Sequence, residues 1–242
     1  MRKLGFTLAE VLITLAVVGI VAASTIPAVV TKLTRQEFVT KLQKAHNTLV
    51  NTVKAAEKEH GPIEYWSRSL SHADYFNRYL KPHLDIMADC GTTATPDACF
   101  PRHTAAGGSA ASTDYKNLNG AALTLNWAGA QIDQGYKFTT PDGISYSHWN
   151  NTATDSYVYV DVNGKKGPNQ LGRDLFLFQI WRDTDADATA RGRANAPWRG
   201  VKPMGWDQTE SDRAAGCSAS NTSATSGVHC TLKVLTEGGM NY

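Results

Sequence analysis

The chain lacks the signatures by which most enzymes are recognised. Its 242 residues contain no His-Glu-x-x-His pair, nucleophile elbow or phosphate-binding glycine loop, and each of those chemistries depends on its own spacing. The seven histidines are scattered, so the sequence argues against catalysis. Cysteine is scarce. Cys90, Cys99, Cys217 and Cys230 are the whole set, and no two have the Cys-x-x-Cys spacing of a zinc site or a redox motif. Charge of one sign is lacking too. The formal net charge is +2, and the basic residues form no stripe that would mark a nucleic-acid partner.

The most consequential absence is that of any charge from Val11 to Val30. Such a run has about the ~20 residues a helix needs to cross a bilayer core. What precedes it is MRKLGFTLAE: a short basic leader ending at Gly5, then Phe6, then one carboxylate at Glu10. An acid at membrane depth costs about 2.5–3.5 kcal/mol on insertion scales. A secretory signal peptide with Ala22, Ala23 and Ser24 at its cleavage region accounts for Arg2 and Lys3, but Glu10 interrupts its apolar core. A plain single-span anchor accounts for the length and again not for the acid.

Gly5-Phe6-Thr7-Leu8-Ala9-Glu10 followed by an apolar helix resembles the N-terminus of the type IV pilin and type II secretion pseudopilin superfamily. The resemblance is strong over about the first sixty residues only. It implies that a prepilin peptidase cuts between Gly5 and Phe6 and methylates the new N-terminal phenylalanine. It also implies that Glu10 meets the terminal amine of a neighbouring subunit inside an apolar helix bundle. A buried charge is costly alone, whereas a paired one selects partner and register. The partners implied are prepilin peptidase, identical or homologous pilin subunits, and an inner-membrane assembly platform.

Arg2 and Lys3 keep the N-terminus cytoplasmic and place the rest outside, although Lys32 and Arg35 beyond the span weaken the asymmetry. The expected organisation is a leader over 1–5, a transmembrane and assembly helix over 6–30, an amphipathic continuation over 31–61 and a globular head over 62–242. In the continuation, Phe38, Leu42, Ala45, Leu49, Val53 and Ala56 recur at three- and four-residue spacing, one face of a helix. Gly61-Pro62 ends it. Pro27 removes a helix hydrogen bond and Gly19 is a weak helix former. The helix is then either kinked but continuous, or partly melted between them in a filament, as the resemblance implies.

In the head, Trp66, Leu70, Tyr75, Phe76, Tyr79, Leu80 and Leu84 predict a second short helix, within Ile63–Asp89 and ending near Lys81-Pro82. Its aromatics belong to a core, and His72 and His83 to its surface. Strands are expected at Ala121–Trp127, Tyr136–Thr139, Ile144–Trp149, Tyr157–Val162, Leu175–Trp181 and Thr231–Leu235, punctuated by glycine and proline turns. Thr104–Asp114 and Thr184–Gly227 look like loops. The fold class is α+β, a long N-terminal helical spine packed on an antiparallel β-sheet, which agrees with a pilin-like fold.

An outward-facing head meets an oxidising compartment, so disulfides are the default. Four cysteines allow three pairings. The sequence-local pairs Cys90–Cys99 and Cys217–Cys230 each close a short loop, and the second resembles the C-terminal disulfide loop of many type IV pilins. Between Asp161 and Asp174, Asp161, Asn163, Asn169 and Asp174 stand among glycines. Two readings of this stretch stay open. One is a calcium loop built from oxygens; the other is a turn held by Asx hydrogen bonds. Lys165 stands where a calcium loop wants an oxygen, and no cofactor other than calcium is suggested. Asp183-x-Asp185-x-Asp187 is a second, shorter acidic run.

The function expected is a structural subunit of a type IV pilus-like or type II secretion pseudopilus filament. It waits in the inner membrane as a single-pass precursor and ends in a periplasmic or cell-surface filament. The alternative is a membrane-anchored binding protein that never polymerises and displays an extracytoplasmic head, indifferent to Glu10. A secreted enzyme behind a signal peptide would start near Ala23 or Ser24.

Overall fold

The computed structural model describes residues 7–92, 99–101, 112–123, 128–151, 155–223 and 226–242. The chain divides into two compact units, Met1–Glu37 and Phe38–Tyr242. One helix, α1 (Leu8–His60), contributes to both and runs through Pro27 without a break. The described part of the first unit is helical from Leu8 to Glu37, and its large apolar side chains are exposed on every side.

The second unit begins where α1 becomes amphipathic. Phe38, Val39, Leu42, Ala45, Leu49, Val53 and Ala56 are buried, the face expected from their spacing. They lie against a six-stranded antiparallel sheet of order β1-β4-β5-β6-β7-β8. The strands are β1 (Ala88–Gly91), β4 (Tyr136–Thr139), β5 (Ser145–Asn150), β6 (Asp155–Asp161), β7 (Leu175–Arg182) and β8 (Arg199–Pro203). A separate pair holds β2 (Ser112–Lys116) and β3 (Ala122–Leu123). A helical spine on an antiparallel sheet is therefore the architecture, as the sequence implied.

The sheet is buried on both faces. On β7, Phe176, Phe178 and Ile180 join the core that contains α1. Leu175 and Leu177 point the other way, into a second cluster with Tyr115, Ile132, Tyr159 and Val228. Each fully buried Leu or Phe contributes roughly 1.5–3 kcal/mol. Double burial explains why β7 reads Leu-Phe-Leu-Phe instead of alternating with polar residues.

Among the polar groups buried in the core are Arg182 and His148. Arg182, fully buried on β7, donates to Asn150 Oδ1 at 2.9 Å, Asn151 O at 2.6 Å and Asp155 O at 2.8 Å. Its guanidinium carbon lies 5.0 Å from the Tyr75 ring centre, a cation–π contact. His148 on β5 stacks on Tyr75 with ring centres 5.2 Å apart, and neither ring nitrogen has a hydrogen-bond partner among the described residues. Burial, reinforced by the positive charges of Arg182 and His72, pushes its pKa down to about 3. The folded state keeps His148 neutral where the unfolded chain takes up a proton, so its contribution is present above pH ~6.5 and lost on acidification. At about 1.4 kcal/mol per pH unit, the advantage of the native chain over His148→Phe should shrink by about 3 kcal/mol from pH 6.5 to 4. Denaturant unfolding of both at each pH measures it, and a constant difference would refute it.

Four expectations need correction. The predicted second helix starts later than expected: after a separate 3₁₀ turn at Ile63–Tyr65 it runs without a gap through α2 (His72–Tyr75), a π-helical segment Phe76–Leu80 and a 3₁₀ turn Lys81–His83, ending near Lys81-Pro82 as expected. Ser71 caps α2, its side chain accepting from Asp74 N at 3.1 Å, and Pro82 cannot continue a helix. The aromatics are core, with Trp66 stacked on Tyr79 at 4.6 Å. His72 and His83 are half-buried instead of fully exposed: His72 Nδ1 accepts from Asn150 N at 3.1 Å, and only 17% of the His83 side chain is exposed. Thr231–Leu235 is not a strand but part of α6 (Cys230–Glu237). Its polar–apolar alternation reads like a strand, yet Cys230 and Val234 are buried at four-residue spacing and Gly238, at φ +63°, closes a helix.

Thr184–Gly227 is likewise not a plain loop. It contains α4 (Asp185–Ala190), β8 and α5 (Glu210–Gly216). There Trp198 packs edge-on between Trp181 and Trp206, and Arg193 lies 3.7 Å over the Trp198 ring. The remaining helix, α3 (Ala128–Gln134), precedes β4. Of the expected strand Ala121–Trp127, Ala122–Leu123 is β3, and 124–127 lie outside the described residues, as does most of Thr104–Asp114.

Candidate assembly segment and acidic turn

The start of α1 is built by its own sequence. Thr7 precedes the first helical residue, and Glu10 stands three residues on, the spacing of a capping box. Glu10 N donates to Thr7 Oγ1 at 3.3 Å, while Thr7 N and Oγ1 donate to Glu10 Oε2 at 2.7 and 2.8 Å. Both bonds to the carboxylate use Oε2, and Oε1 accepts none among the described residues. An acid in the first turn also suits the helix dipole. Beyond it, Leu8 at 77% and Ile20 at 72% exposure typify a helix that is apolar all round, long and apolar enough to cross a membrane. Gly5 and Phe6 lie outside the described residues.

The stretch from Asp161 to Asp174 joins β6 to β7 and brings its four candidate residues into one turn. Asp161 and Asp174 are fully buried. Asp161 Oδ2 accepts from the Tyr115 hydroxyl at 2.5 Å and Oδ1 from Asn163 N at 3.1 Å. Asp174 Oδ2 and Oδ1 accept from Asn169 N and Gln170 N at 2.7 and 2.6 Å. Burial, followed by the charge of Asp174, holds the Asp161 carboxyl well above the usual carboxylate range. Burial raises Asp174 as well. Asn163 Nδ2 donates to Gly167 O at 3.0 Å. The Oδ1 atoms of Asn163 and Asn169 are buried without a hydrogen-bond partner among the described residues. Gly172, at φ +80°, lets the turn pass Cys230, since a Cβ there would stand 2.7 Å from Cys230 Sγ.

The second acidic run is not a cluster of free carboxylates. Asp183 pairs with Arg191, and Asp185 with Arg199 at 2.8 Å. Asp187 accepts from Arg68 at 2.6 Å and from its own helix cap, Thr184. The Arg68 hydrogen bond, then the Thr184 bonds, hold the Asp187 carboxyl far below its usual range against the effect of burial. Such saturation by arginines makes α4 a structural staple.

Both disulfides join sequence neighbours, Cys90–Cys99 and Cys217–Cys230. The first ties β1 to Cys99 in the second cluster, and the second ties the end of α5 to the start of α6.

Residues 28–238 match the family described as "Family of unknown function (DUF6613)". The chain belongs to that family. Residues 1–26 match the prokaryotic N-terminal methylation motif, the prepilin signature of type IV pilins and pseudopilins. This family member is thus a pilin-like or pseudopilin precursor of the kind that prepilin peptidase processes. Comparisons with curated proteins and with solved structures gave no match.

Proposed function

We propose that this chain is a non-catalytic subunit of a type IV pilus-like or type II secretion pseudopilus filament. It is inserted in the inner membrane with Arg2 and Lys3 inside, cut after Gly5, and assembled through its N-terminal helix with the head outside. The observation that carries this reading is the stretch Leu8–Val30, exposed and apolar on every side, with Glu10 as its one charge. A helix apolar all round belongs in a bilayer or a bundle. An acid in the first turn then serves to choose partners. The mature N-terminus, determined by mass spectrometry in cells carrying a prepilin peptidase, tests it. The expected result is a chain starting at N-methylated Phe6. A start near Ser24 would mean a signal peptide and sink the filament reading, and an intact Met1 would favour the anchored binding protein.

A second reading concerns the turn from Asp161 to Asp174. The two Asn oxygens that lack a partner among the described residues, beside two buried carboxylates, support a divalent, calcium-like cation held by oxygens. When bound, it would neutralise the carboxylates and brace β6 against β7. At a hundredfold excess over its dissociation constant, bound Ca2+ stabilises by about 2.7 kcal/mol. Thermal unfolding should therefore shift upward in Ca2+ relative to chelator, and the shift should vanish in Asp174→Asn. Identical melting in both buffers would leave the turn purely structural.

A further inference from the structure

Glu59 and His60 close the last turn of α1, and His83 ends the 3₁₀ turn at Lys81–His83. The two segments meet so that one ligand-type atom from each of the three residues lies within 4.8 Å of the others. His83 Nε2 is 3.4 Å from Glu59 Oε2, and His60 Nε2 is 3.9 Å from Glu59 Oε1. Both Nε2 atoms are buried, and neither makes a hydrogen bond among the described residues. Two buried imidazole nitrogens beside a carboxylate, with no hydrogen-bond partner among the described residues, are uncommon in a folded protein, because a buried polar atom without a partner costs stability.

We propose that Glu59, His60 and His83 form a binding site for a divalent transition metal of the zinc or copper class. Two imidazole nitrogens and one carboxylate oxygen are a nitrogen-rich donor set, which suits zinc and copper over calcium. Zinc bonds to such atoms are about 2.0–2.2 Å, which puts neighbouring tetrahedral ligands about 3.4 Å apart. The His83–Glu59 separation already has that value, and Glu59, with 58% of its side chain exposed, is free to swing in. His60 is steadied edge-on against Tyr79, with ring centres 5.1 Å apart. Gly61, at φ +77°, turns the chain away immediately after His60. The bound ion would staple the end of the spine to the segment packed beside it, and a fourth position would face solvent through Glu59. Every ligand comes from one chain, so the site does not depend on polymerisation.

The test uses the full chain in detergent micelles, purified without a histidine tag, stripped with chelator and titrated calorimetrically with Zn2+. One ion per chain is expected, undisturbed by excess Ca2+. Glu59→Gln, His60→Gln and His83→Gln should each weaken binding more than about tenfold, the low end of what losing even an outer partner of a metal site costs. His46→Gln should leave it unchanged. Pulsed EPR of the Cu2+ form of the native chain should count two coordinated imidazoles, a readout that survives if a variant fails to fold. Absence of binding, equal affinity in all variants, or a count other than two imidazoles would each overturn the assignment.

Discussion

Glu10→Ala should be cut after Gly5 as efficiently as the native chain and should then yield no filaments. Among the described residues its Thr7–Glu10 capping box uses Oε2 alone, which leaves Oε1 for a second donor. Cleavage after Gly5 would turn the Phe6 amide into a charged amine one residue before Thr7. An amine from a neighbouring copy, buried among apolar helices, has no water to solvate it. Removing one partner of a buried ion pair typically costs 3–5 kcal/mol, repeated at every subunit added. Glu10→Gln separates the two roles of this carboxylate. Glutamine still completes a capping box, so helix formation survives while the charge is lost. Filament yield by electron microscopy of sheared fractions, with the mature N-terminus checked by mass, reads the result. Filaments from Glu10→Gln at native abundance would show that only the cap matters.

Arg182→Ala should destabilise the head by about 4 kcal/mol, within the range for breaking a buried charged network. Three acceptors each lose a donor at once: Asn150 Oδ1, Asn151 O and Asp155 O. The Tyr75 ring loses the cation over its face. In a unit of this size each kcal/mol moves the midpoint by about 2–4 °C, so thermal unfolding should begin roughly 10 °C earlier. Arg182→Lys should recover only part of the loss, because a single ammonium does not reproduce the guanidinium fork. A midpoint within 2 °C of native for Arg182→Ala, a loss of about 1 kcal/mol at most, would mean that the network adds nothing beyond packing.

The parts of the fold that could be read in advance are those with one dominant pattern. The spine was legible because Phe38 to Ala56 repeat at helical spacing against a single sheet. β4 to β7 were legible because they are rich in β-branched and aromatic residues and bounded by glycine turns. The pieces around Tyr75 and Phe76 misled because a helical aromatic face is compatible with α, 3₁₀ and π turns alike, and packing on Trp66 and His148 decides among them. Thr231–Leu235 misled because five residues are too few to separate a two-residue period from a helix face, and Gly238 settles it.

The site was unevenly legible for a similar reason. The Gly5–Glu10 motif is local and was visible at once. So was the spacing of Asp161, Asn163, Asn169 and Asp174, whereas Tyr115, which holds Asp161, comes from 46 residues away. His60 and His83 carry no spacing signature at all, because they meet only when Gly61-Pro62 reverses the chain. Arg182 lay hidden at the end of an apolar strand, where a charged residue normally signals a surface.

The two borders of the large sheet have a consequence for crowding. β1 is four residues long, its register slips between Asp89 and Gly91, and Cys90 is bonded away to Cys99. β8 carries Gly200 in a left-handed conformation, Lys202, and finally Pro203, which has no amide to offer. Short, interrupted, proline-ended margins are poor templates for a foreign strand. Heads brought to very high local density therefore resist zipping into amyloid-like ladders, and the protein tolerates close neighbours without fusing to them.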